Sequence, residues 1–152
     1  MPNEVKYLCS SIEKTQVLKW LDSFILKHRL VPSSGRVVLG VSGGVDSMLL
    51  LLLMAELKSR GLFKEIVAVH IDHGTRAECK AESELVASVC TNLGVPFRSV
   101  KLQLNPKASN FEFLAREARY FEFEKILCPG DKLYLGHHID DSLEWSLMQQ
   151  FK

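Results

Sequence analysis

The chain has 152 residues, 47% of them hydrophobic, with a formal net charge of +1. That length fits one domain able to bury a sizeable core, and the near-neutral charge gives no strong electrostatic case for nucleic acid or an anionic membrane as partner. The four cysteines, Cys9, Cys79, Cys90 and Cys128, form no CxxC pair and follow nothing resembling a signal peptide, so reduced thiols in the cytoplasm are expected.

In chain order, residues 1–30 form a helical extension. Val17, Leu18, Leu21, Phe24, Ile25 and Leu30 recur at helical spacing, with Lys14, Lys19, Asp22 and Lys27 between them, which predicts an amphipathic helix. Val31-Pro32-Ser33-Ser34-Gly35 breaks it. The core, 36–152, begins with an apolar strand over Arg36–Val41 and a helix over Val45–Arg60. The apolar run Met48–Ala55 inside that helix is far shorter than the ~20 residues of a membrane span and reads as buried helix. Then follow a strand over Glu65–Ile71, a helix over Ala77–Leu93, a strand over Phe97–Leu102 and a helix over Asn110–Leu127. A short strand over Leu133–Leu135 and a helix from Asp141 onward complete the chain.

The first two strands lack polar alternation, as expected when helices cover both faces. The β-α-β-α order predicts an α/β fold: one domain over 1–152, with a doubly wound, Rossmann-like parallel sheet, right-handed crossovers and an extra N-terminal helix. Ligands of such sheets bind outside the carboxyl ends of the strands. Three strands deliver polar clusters there, which points to a single site.

The first cluster is Ser42-Gly43-Gly44-Val45-Asp46-Ser47, a strand-to-helix turn. Glycines let the backbone approach a ligand, and successive N–H groups at a helix start make a nest for phosphate. Ser42 and Ser47 add hydroxyl donors. The turn lacks a Walker lysine and does not fit GxGxxG. It carries Asp46 instead, and a carboxylate beside triphosphate oxygens calls for a bridging divalent cation, so Mg²⁺ is expected. The plainer alternative is a tight turn with Ser42 capping the helix. Gly-Gly alone would leave that alternative favoured, but Ser-Gly-Gly-x-Asp-Ser after a buried strand is far more specific.

The second cluster is His70-Ile71-Asp72-His73-Gly74. His70 alternates with core positions and receives no catalytic role. Asp72 and His73 lie where they could touch a ligand, although Thr75-Arg76-Ala77-Glu78 also has capping-box spacing. The third, His137-His138-Ile139-Asp140-Asp141-Ser142-Leu143-Glu144, is dense in titratable groups at a helix start. A capping box of Asp141 with Glu144 explains part of it but does not require two adjacent His and two adjacent Asp, so function is favoured. The fourth stretch runs from Ser109 to Tyr120. Ser109 and Glu112 fit a capping box, Glu112 and Arg116 are spaced as an ion pair, and Arg116 and Arg119 share a face able to clamp anions. Taken alone, that stretch would read as a solvated charged face.

Together these four stretches resemble the tRNA(Ile)-lysidine synthases within the PP-loop, or N-type ATP pyrophosphatase, superfamily. The matches are Ser42 to Ser47, His70 to Gly74 with Arg76, Asn110-x-Glu112 with Arg116, Arg119 and Tyr120, and Gly136-His137-His138-x-Asp140-Asp141-x-x-Glu144. They run in family order across about residues 36–152. The resemblance implies an adenine nucleotide α-hydrolase type of fold and a carbon–nitrogen ligase. ATP adenylates carbon 2 of the wobble cytidine of an isoleucine tRNA with a CAU anticodon, releasing pyrophosphate. The amine of free L-lysine then displaces AMP.

Carried onto this chain, the resemblance implies nucleotide contacts at Ser42, Gly43, Gly44, Val45, Asp46, Ser47, Asp72 and His73. Substrate contacts fall at Asn110, Glu112, Arg116, Arg119, His138 and Glu144. Catalytic roles fall to Asp46, Arg116, His137, Asp140 and Asp141, with Mg²⁺ on Asp46 and with Asp140 and Asp141 holding either Mg²⁺ or the lysine ammonium. Arg116 and the metal would stabilise the leaving pyrophosphate, and His137 or His138 would position groups or move a proton. Two departures stand out. Trp145 occupies a position where the family usually has Thr. The chain also stops at Lys152, whereas the family continues through a basic Arg-Gly segment into domains that grip tRNA. A catalytic domain incomplete at its C-terminus is therefore expected, with weak tRNA binding, as the near-neutral charge suggests. A second copy of the chain is left open as a partner. The rival readings are a PP-loop tRNA 2-thiolation enzyme, a metal-dependent phosphohydrolase built on the His and Asp clusters, and a nucleotide-binding module without catalysis. The first typically shows CxxC pairs, which this chain lacks, and the second leaves the Ser-Gly-Gly turn unexplained.

Overall fold

The computed structural model describes residue 12 and residues 15–72, 78–102, 104 and 110–136. Four parallel strands form one sheet in the order β3-β2-β1-β4, namely β1 (Val37–Gly40), β2 (Ile66–Asp72), β3 (Phe97–Lys101) and β4 (Lys132–Leu135). The helices are α1 (Gln16–Lys27), α2 (Val45–Ser59), α3 (Glu78–Leu93) and α4 (Phe111–Ile126). The expected α/β alternation is therefore present from α1 to β4, with bounds that differ by a residue or two. The helix expected from Asp141 and the capping box at Thr75 lie outside the described residues.

Alternation along the strands splits the core in two. Val37, Leu39 and Ala68 pack with Leu51, Met54 and Leu57 of α2 and Val86 and Cys90 of α3. Val38, Val69 and Ile71 face the other way, against Phe123 and Ile126 of α4. The connections from β1 to β2 and from β2 to β3 thus cover one face, and the connection from β3 to β4 covers the opposite face. The change of direction falls between β1 and β4, the place where doubly wound sheets open a ligand crevice.

The described part of the N-terminal extension packs on the domain. Thr15 caps α1 by accepting from the Leu18 N–H at 3.4 Å. Leu18 and Ile25 are fully buried against the α2 side of the core, and the Tyr134 hydroxyl of β4 donates to the Leu30 carbonyl at 2.9 Å. At the opposite end of the sheet the Asp131 carboxylate ties β1 to β4. It accepts from the Arg36 backbone N–H (2.9 Å), Arg36 Nε (3.1 Å) and the Cys128 N–H (3.0 Å). Burial pushes that carboxyl up, but the two backbone N–H groups and the Arg36 guanidinium outweigh it and hold it below the ordinary carboxylate value. Among the described residues no helix is long and apolar enough to cross a membrane.

Candidate functional site

β1 feeds directly into the Ser42–Ser47 turn, and its atoms close on one another. The Ser47 hydroxyl donates to the Gly44 carbonyl at 2.9 Å. Its single hydrogen being engaged there, the 3.0 Å contact between the two serine hydroxyls is one that Ser42 donates. Ser47 Oγ also accepts from the Ser42 N–H at 3.1 Å, and Ser42 Oγ accepts from the Gly44 N–H at 3.3 Å. Both hydroxyl hydrogens are thus engaged inside the turn and brace it. Gly43 has φ of 91°, where a side chain would be strained, and a Cβ there would also sit 3.2 Å from the Glu82 Cβ.

Ser42 is not the helix cap. The N-cap of α2 is Gly44, with no side-chain cap, and the helical ladder begins with Met48 N–H donating to Gly44 O at 3.0 Å. An uncapped first turn at the carboxyl edge of the sheet is an arrangement that an anion completes. Asp46, exposed in that first turn, borders an apolar groove beside Val17 and Leu49. Val45 is 83% exposed and contributes backbone rather than packing.

β4 ends against the same turn. A Cβ on Gly136 would lie 2.9 Å from the Ser47 Cα and 3.0 Å from its nitrogen, so only glycine lets β4 approach the start of α2 this closely. Between them lies a cleft with about 410 Å³ of empty space, counting its open mouth. Ser42, Ser47 and Gly136 line one side, Val69, Ile71, Phe123 and Leu135 give apolar walls, and Arg119 from α4 completes it. Arg119 Nε is buried with no hydrogen-bond partner among the described residues. Burial is the main force lowering its pKa; Tyr120 works against that, and Arg116 adds to it. Both guanidiniums flank the Tyr120 ring, 5.4 Å for Arg116 and 5.9 Å for Arg119 from its centroid.

Of the residues singled out from the sequence, the cleft brings together Ser42, Ser47 and Arg119. Asp72 ends β2 on the same edge of the sheet. Asn110 is the N-cap of α4 without a side-chain cap bond and Glu112 lies in the first turn, while Ser109 of the expected capping box lies outside the described residues. Neither these two nor Arg116 lines the cleft. His73, His137, His138, Asp140, Asp141 and Glu144 lie outside the described residues. Among the described residues no group of three or more His, Cys, Asp or Glu could hold a metal; Asp46 is the described member of the expected Mg²⁺ set. Two contributors carried no role from the sequence. Phe123 walls the cleft one turn after Arg119, and that i,i+4 spacing marked the shared face. His70 holds the chain just before the turn through Nδ1, 2.8 Å from the Val41 carbonyl.

The chain is similar to the tRNA(Ile)-lysidine synthase of Pseudomonas syringae, at 44% identity over 110 residues covering 72% of this chain and 24% of that protein. It is also similar to the enzymes of that name from Legionella pneumophila (35% identity, 77% of this chain, 26% of that protein) and Bacillus cereus (34%, 90% and 30%). It spans a quarter to a third of the length of these curated relatives. In fold it resembles a U34-tRNA thiolase from Methanococcus maripaludis, with a TM-score of 0.64 at 19% identity, over 90% of this chain and 50% of that one. The family described as the PP-loop domain matches residues 12–152, and the chain belongs to that family.

Proposed function

We propose that this chain is the ATP-binding, catalytic part of a tRNA(Ile)-lysidine synthase. The observation that carries the nucleotide site is Arg119, which lines the cleft beside the Ser42–Ser47 turn with its Nε buried and without a partner among the described residues. A buried N–H without an acceptor is unfavourable until a ligand supplies one. The triphosphate of ATP fits that need on one side and the uncapped first turn of α2 on the other. The apolar walls suit a purine. Mg²⁺ belongs with Asp46, and with Asp140 and Asp141 beyond the described residues; it would supply the positive charge that lets carboxylates and phosphate oxygens share one site.

With ATP so held, the α-phosphorus faces the tRNA base. Attack by the cytidine displaces pyrophosphate, and Arg116 takes up its charge. Asn110, Glu112, His138 and Glu144 are assigned to tRNA and lysine, Asp72 and His73 to the nucleotide, and His137 to positioning or proton transfer. The lysine amine then displaces AMP. The assignment to lysidine rather than to other PP-loop chemistry rests on the similar proteins. The test incubates the protein with ATP, Mg²⁺, radiolabelled lysine and an isoleucine tRNA transcript bearing CAU, at low salt and high tRNA to offset weak binding. Expected is ATP-dependent label in the tRNA with matching AMP release. AMP release indifferent to lysine, with no label in tRNA, contradicts the proposal.

A further inference from the structure

We infer that His70 is a positioning residue for the phosphate turn: it fixes the Val41–Ser42 peptide from the neighbouring strand. The inference rests on the nucleotide site proposed above. His70 is 2% exposed in β2, and its Nδ1 lies 2.8 Å from the carbonyl oxygen of Val41, the residue immediately before the turn. A carbonyl only accepts, so Nδ1 carries the hydrogen. The other side of the same peptide is the Ser42 N–H, which donates to Ser47 Oγ. One peptide plane is therefore gripped at both ends, by β2 at its carbonyl and by the start of α2 at its N–H. Val41 is also the last residue held by the sheet ladder, its N–H donating to Val69 O at 2.9 Å. Beyond it the two serine hydroxyls bond within the turn, and the His70 bond ties the start of that ring to the neighbouring strand. Rotation of this peptide would turn the Ser42 N–H away from Ser47 and undo the ring.

His70 itself does not line the cleft, although its strand neighbours Val69 and Ile71 do. Its Nε2 is buried without a partner among the described residues, and the ring's one hydrogen bond there is made from Nδ1. An asparagine amide can reproduce an Nδ1–H donor, whereas leucine fills the space and leaves the Val41 carbonyl without its donor. The test compares the unsubstituted chain with His70→Leu and His70→Asn in two measurements: amide hydrogen exchange along 41–48, and ATP-Mg²⁺ affinity by titration below the melting temperature. Expected for His70→Leu is faster exchange at Ser42 to Ser47 with little change in the β2–β3 amides, and ATP binding weakened about five- to tenfold. His70→Asn restores both. Unchanged exchange and affinity in His70→Leu overturn the inference. So does faster exchange across the whole sheet in both variants, which would make His70 a packing residue only. An unsubstituted chain that fails to bind ATP, yet whose turn loosens only in His70→Leu, would sink the nucleotide reading while supporting the hold of His70 on the turn.

Discussion

The Arg119 Nε is buried without an acceptor among the described residues, a state that costs on the order of 1–3 kcal/mol until something accepts from it. The cleft residue is therefore better suited to the ligand-bound protein than to the free one. Arg119→Ala is expected to leave the melting temperature of the free protein unchanged or raised, and to weaken ATP binding at least tenfold by titration calorimetry. Equal affinity in the two proteins would remove Arg119 from the site. Its residue type and its neighbourhood with Arg116 were legible in the sequence as an anion clamp. Its separation from Arg116, with only Arg119 reaching the cleft, was not, because that depends on which face of α4 meets the sheet. Cysteine behaviour is a second test at this scale. Burial pushes the Cys90 thiol up to about 11, whereas Cys128 is exposed. Peptide mapping after brief alkylation at a pH of about 8 should find Cys128 modified and Cys90 untouched, since the thiolate is the reactive form.

Elements are held in register by contacts that neither partner announces alone. Gly136 ends β4 against the backbone of Ser47, and Gly136→Ala must push the strand end and the start of α2 apart. A destabilisation of about 1–3 kcal/mol is expected by urea unfolding, together with weaker ATP binding; an unaffected protein would show that β4 does not press on the turn. The Asp131 clamp makes a prediction in pH. Its folded carboxyl lies below its ordinary value, so its stabilising effect is complete above that value and is lost as pH falls through the folded one. Asp131→Asn should melt lower than the unsubstituted protein at neutral pH, with the gap closing below a pH of about 4. A gap independent of pH would rule out the charge as its cause. The alternation of strands and helices was legible because buried parallel strands are continuous apolar runs. The clamp was not, since Arg36 and Asp131 are far apart in sequence and meet only once β4 takes its place beside β1.

At the scale of the whole molecule, the strand order β3-β2-β1-β4 places the turn, Gly136 and Arg119 around one crevice. The Ser-Gly-Gly-x-Asp-Ser turn was readable as a phosphate site from its residue types. The hydrogen-bond ring that engages both serine hydroxyls was not, because hydroxyl roles are settled only by three-dimensional geometry. His70 was rightly placed in the core by its alternation, but its hold on Val41 depends on the register between β1 and β2. In the function proposed above, this crevice binds ATP through the turn with Asp46 beside the phosphates. The most direct measurement is the melting temperature of the chain and of Asp46→Ala across an ATP-Mg²⁺ titration. At about a hundredfold excess over Kd, the unsubstituted chain should gain roughly 2.7 kcal/mol of stability and melt several degrees higher, with no rise in Asp46→Ala; equal stabilisation of both proteins, or none of either, would contradict ATP binding through this turn.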